Sequence, residues 1–100
     1  MAQYKYLSSS GQVYTGKCLC HGFMLGMDGT NDQAVTLYNG TSTSDHEIMP
    51  TNTYDAAALG LNGVVLPDSA AIECSKGLYA VLSGSGTVEL VVLYSPSLGA

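Results

Sequence analysis

The sequence predicts an all-β domain, an antiparallel β-sandwich of jelly-roll-like type. Three observations carry this. Short runs rich in Val, Leu, Tyr and Thr recur along the 100 residues, each of strand length. Clusters of Gly, Asn, Asp and Ser separate them, as turns require. The longer runs alternate between two faces, the period-2 signature of an extended chain.

Taken in order, Tyr4-Lys5-Tyr6-Leu7 opens the chain, and Ser8-Ser9-Ser10-Gly11 separates it from Val13-Tyr14. Lys17 to Leu25 reads as a strand with two apolar faces: Cys18, Cys20, Gly22 and Met24 against Leu19, His21, Phe23 and Leu25. Asp28-Gly29-Thr30-Asn31-Asp32 is a turn, and Ala34-Val35-Thr36-Leu37-Tyr38 a strand that Asn39-Gly40 ends. Thr41 to Asp55 reads as a long surface loop around Glu47-Ile48-Met49. Ala56-Ala57-Ala58-Leu59, with Asp55 as a candidate N-cap, is cut to about one turn by Gly60 and is expected as a loop or short 3₁₀ segment. Leu78 to Leu82 and Thr87 to Tyr94 close the chain as strands joined through Ser83-Gly84-Ser85-Gly86. In the last strand Val88, Leu90, Val92 and Tyr94 share one face. The domain reading is residues 1–11 as an N-terminal arm, 12–96 as the sandwich and 97–100 as a C-terminal tail.

Composition narrows the function. Three Lys, eight Asp or Glu and no Arg accompany 46% hydrophobic residues. A free-standing domain usually carries about 25–35% charged residues on its surface. Ser, Thr, Asn, Gly and Tyr must cover this one, and such a surface packs against neighbours without stranding many charges. The net charge of −5 and the scattered Lys5, Lys17 and Lys76 exclude a phosphate-binding patch, so nucleic acid is not an expected partner. No window approaches 18 apolar residues and no basic cluster addresses anionic lipid, so a membrane is not expected either. The first residues lack a basic segment followed by an apolar one. With an odd cysteine count, the expectation is free thiols made in a reducing compartment.

Candidate chemistry is sparse. Cys18, Cys20 and Cys74 with His46 could surround zinc, but the loop-borne cysteine pairs of zinc sites are missing, and small buried Cys explains the same residues. A bridge between Cys18 and Cys20 is poor geometry in an extended strand. Asp28 to Asp32 holds oxygen ligands but lacks the calcium-loop spacing. Asp45-His46-Glu47 could supply a base, yet nothing aims a Ser at it. No cofactor and no enzymatic activity are expected. Seven of the eight aromatic residues are Tyr, which suits core strands, subunit contacts or a sugar-binding rim.

The segments Tyr14-Thr15-Gly16-Lys17-Cys18, Ala34 to Gly40, Cys74 to Gly84 and Val91-Val92-Leu93-Tyr94 follow one another in an order that resembles small β-sandwich decoration or cement proteins of tailed-bacteriophage capsids. The pattern covers about four-fifths of the chain and contains no diagnostic residue. It implies a homo-oligomer, a trimer, on the capsid exterior, made in the host cytoplasm and clamping major capsid protein subunits. It transfers no catalytic residue. On this reading Tyr4, Tyr6 and Leu7 form a docking arm, and Leu19, His21, Phe23 and Leu25 pack the trimer. A carbohydrate- or receptor-binding β-module of a phage fibre or tail is the alternative.

Overall fold

The computed structural model describes residues 3–26, 32–54, 62–84 and 89–96. Its strands are β1 (Gln3–Leu7), β2 (Gly11–Thr15), β3 (Cys18–Gly26), β4 (Gln33–Asn39), β5 (His46–Tyr54), β6 (Asn62–Val65), β7 (Ile72–Cys74), β8 (Gly77–Gly84) and β9 (Glu89–Pro96). One sheet runs β1-β9-β3-β6, with β7 also on β3; the other runs β2-β8-β4-β5. All pairings are antiparallel. β1 lies on β9, β2 on β8, β3 on β6 and β7, and β4 on β5, so the first half of the chain returns along the second. Rolling that ribbon into two packed sheets is the jelly-roll plan, as the sequence predicts.

The core lies between the sheets. Val13, Cys18, Cys20, Phe23, Leu25, Val35, Leu37, Cys74, Leu78, Ala80, Leu90 and Val92 fill it, and the rings of Tyr14 and Tyr94 meet across it with centroids 5.4 Å apart. Leu90 and Val92 face inward together, as their alternation requires.

Strand β3 departs from simple alternation. Against β9, Cys20 pairs with Tyr94 and Gly22 with Leu93, so His21 is one residue too many. Such a bulge flips the parity of everything beyond it. Cys18 and Cys20 before it, and Phe23 and Leu25 after it, therefore all point into the core, with exposures of 0–1%. The strand has one buried apolar face rather than two. Gly22 sits at the bulge with φ of 106°, where any Cβ would run into the Val64 carbonyl oxygen of β6. The His21 carbonyl accepts from the Leu66 amide at 2.7 Å, and its Nε2 lies 2.9 Å from Ser95 Oγ.

Two further segments differ from expectation. Residues 46–54, expected within a loop, form β5 at the edge of the second sheet. An edge strand tolerates polar residues and a proline such as Pro50, because one of its sides carries no ladder. Residues 3–7, expected within an arm, form β1, an edge strand zipped to β9 in register from Gln3↔Tyr94 to Leu7↔Leu90. Leu7 packs against the core, and Gly11 already belongs to β2. The serine segment between β1 and β2 also carries order, since Ser10 Oγ accepts from the Leu82 amide at 2.9 Å. The expected helical turn at Ala56–Leu59, the turn residues 28–31 and the tail 97–100 lie outside the described residues.

A side chain that composition does not single out ties three segments together. The Gln12 amide Nε2 lies 2.8 Å from the Tyr14 carbonyl oxygen, 2.9 Å from that of Leu78 and 3.0 Å from that of Gly40. A bulge around Val13 in β2 brings Gln12 there, and Gly77 leaves the space, since a Cβ on it would sit 3.3 Å from that nitrogen. Gln12→Ala should cost about 2 kcal/mol, because part-buried carbonyls lose their donor. Thermal unfolding should show a midpoint lowered by roughly 8–16 °C; an unchanged midpoint would mean that water replaces the amide.

Candidate interaction face

The outward side of the β1-β9-β3-β6 sheet is built from residues directly opposite one another, which share a face. One row runs Tyr4, Leu93, Gly22, Val65; the next runs Tyr6, Val91, Met24, Gly63. Tyr4 is 68% exposed, Tyr6 51% and Val65 61%, while Met24, Val91 and Leu93 are half-buried between them. Neither row contains a charged residue. Gly22 on β3 and Gly63 on β6 carry no side chain, so the face is shallow toward β6, with Tyr rings at the β1 margin and Val65 at the other. Their closeness has a backbone cause: a Cβ on Gly63 would strike the Phe23 carbonyl oxygen, as one on Gly22 would strike that of Val64. The two glycines thus let β3 and β6 approach.

Charges flank these rows, and exposed Glu89, opposite Gly26, precedes Val91 on the same face of β9. Lys5, between the two tyrosines, has the opposite parity and pairs with Val92, and it reaches solvent from the sheet edge. Lys17 and Glu73 form an exposed ion pair at 3.6 Å near Leu19, whose β7 partner is Glu73. Such a pair contributes little in water.

The predicted interface residues therefore separate. Tyr4 and Tyr6 are on the exposed face and Leu7 turns to the core. Leu19 is half-buried on the outer side, but Phe23 and Leu25 are core residues, and His21 is 4% exposed and engaged with Ser95. The bulge removes from Phe23 and Leu25 the surface that a subunit contact needs. It gives Met24 that surface instead, beside Val91 and Leu93, which alternate with inward Leu90 and Val92 on β9, and Val65 on β6. Sequence reading misses these four, although a Gly inside an apolar strand is a signal for a bulge.

The other tyrosines divide by role. Tyr14 and Tyr94 pack against the core, while Tyr38 and Tyr79 stand opposite each other, half-buried, across β4 and β8. The side chain of Tyr54 lies outside the described residues.

The remaining candidates resolve into structure. The Asp45 carboxylate accepts from the Thr41 amide at 2.8 Å and the Ser42 amide at 3.2 Å, and lies 3.7 Å from Lys76 Nζ. The Thr41 bond first, with the Ser42 bond and the Lys76 charge, holds its carboxyl below the usual range. That carboxylate organises the β4–β5 turn, which Gly40 makes possible because a Cβ there would overlap it. His46, next in sequence, is exposed and faces Asn39 in the ladder. Cys18, Cys20 and Cys74 are free, fully buried and gathered in the core, with Cys74 arriving on β7 beside Cys18. Among the described residues no three of His, Cys, Asp and Glu are placed to hold a metal ion, and no ligand-sized cavity opens.

No family model, no curated protein and no solved structure matches the chain.

Proposed function

We propose that this chain is a structural virion protein, a decoration or cement protein that binds the outside of a phage head as a homotrimer. It would stabilise contacts between major capsid protein subunits. The observation that carries the reading is the pair of uncharged rows on the outer face of the β1-β9-β3-β6 sheet, with Tyr4, Tyr6 and Val65 exposed around half-buried Met24, Val91 and Leu93, and Glu89 and Glu73 flanking them. Tyr joins a broad apolar ring to a polar tip, so it gains from burial against a protein neighbour and is tolerated in water before docking. The low ion content of the whole chain points the same way. Binding that occurs only to the assembled shell stabilises the shell by mass action.

The expected chemistry is therefore recognition, with no bond made or broken. Tyr4→Ser combined with Tyr6→Ser should leave the melting midpoint within a few degrees of the parent, because both rings are exposed. Co-sedimentation with empty capsids lacking this protein should fall at least tenfold, the loss of more than about 1.4 kcal/mol. Undiminished co-sedimentation would exclude this face. The fibre or tail reading uses the same tyrosines as a sugar platform, and saturable binding on a glycan array, lost in that double variant, would favour it instead.

A further inference from the structure

We propose that Cys18 and Cys74 are a covalent modification site: a small-molecule disulfide of the oxidised-glutathione class converts them to a disulfide that staples β7 to β3. The two residues are direct partners in the β3–β7 ladder, and both side chains are fully buried in the core cluster. Directly opposed residues in an antiparallel ladder have Cα atoms about 4.5–5.5 Å apart. Disulfides span roughly 4.4–6.8 Å, so no strand has to move to close the bond. The third thiol does not compete. Cys20 pairs with Ile72, which puts it diagonal to Cys74 at roughly 7–8 Å. It also stands two residues from Cys18 on the same strand, where a bridge is strained.

The step balances by two exchanges. The Cys18 thiolate attacks one sulfur of the small disulfide and expels the other as a thiolate, which takes up the proton that Cys18 gave up. The Cys74 thiolate then attacks the Cys18 sulfur of the mixed disulfide and releases the second small thiol. The protein loses two protons and two electrons, and the reagent is reduced to two thiols. Cys18 is the suited first nucleophile, since the Cys74 side chain beside it lowers its pKa below the usual thiol value, although Cys74 Sγ also lies 3.8 Å from the Ile72 carbonyl oxygen. The contact with Cys18, together with burial, pushes Cys74 up, and burial pushes Cys20 up to about 11. Access requires β7 to open, and β7 is a three-residue strand whose ladder partner among the described strands is β3. Short strands at sheet margins open at low free energy.

The test uses the full chain incubated with oxidised glutathione, then unfolded and assayed for thiols. The expected count falls from the three cysteines of the sequence to a single free thiol. The protein mass should drop by two hydrogens with no glutathione adduct, and unreduced proteolysis should leave the Cys18 and Cys74 peptides joined. Cys20→Ala should lose both remaining thiols in the same way. The melting midpoint should rise by roughly 10 °C or more and return when dithiothreitol is added. Three thiols persisting after prolonged incubation, a stable glutathione adduct as the end product, or a Cys18–Cys20 link would overturn the proposal. Because the wild type is read directly by peptide mapping, a variant that fails to fold leaves the test intact.

Discussion

Gly22→Ala is expected to abolish the packing of β6 on β3 and to lower the thermal unfolding midpoint by roughly 16 °C or more. The new Cβ would overlap the Val64 carbonyl oxygen, a backbone atom that no rotamer change can move away. The residue would also have to hold φ at 106°, a conformation that costs a side-chain-bearing residue about 1–3 kcal/mol by itself. Parting β3 from β6 then forfeits ladder bonds and exposes the neighbouring core. The combined loss should exceed about 4 kcal/mol, close to the lower end of the roughly 5–15 kcal/mol that stabilises a domain. Circular dichroism with a thermal scan reads the result. A midpoint within two or three degrees of the parent would mean that β6 does not lie against β3 as described.

The second large effect separates two neighbours on β3. Phe23→Ala should cost about 3–5 kcal/mol, because its ring is 1% exposed in the core and its removal leaves a cavity. Met24→Ala, one residue on and half-buried on the outer face, should cost under about 1.5 kcal/mol. An unbroken alternation from Cys18 would put Met24 inside and Phe23 outside, and the two costs would exchange. Denaturant midpoints of the pair therefore test the bulge at His21 directly. Equal costs, or a larger one for Met24, would contradict it.

These two residues also mark where sequence reading succeeds and where it stops. Strand content, the Asn39-Gly40 stop and the inward set Leu90 and Val92 are legible because period and turn chemistry are local properties. Parity past His21 is not, since one inserted residue reverses every later side chain without changing the composition of the strand. Residues 46–54 look like a loop because an edge strand need not be apolar, and Pro50 falls at a break in its register with β4. Tyr4 and Tyr6 look like a free arm because nothing local encodes the return of β9, some 85 residues later, to lie beside them. The Gln12 amide and the Cys18–Cys74 juxtaposition arise from the same kind of long-range pairing. Of the interaction face, the tyrosine margin was readable, while Met24, Val65, Val91 and Leu93 become visible only once the register is fixed.

The proposed role requires that the two uncharged, tyrosine-bearing rows on one side of the first sheet be covered by protein. Light scattering of the purified chain over a wide concentration range tests it most directly. The account predicts a particle of three times the 10.4 kDa chain mass that persists on dilution. A species of 10.4 kDa that stays monodisperse to millimolar concentration would contradict it.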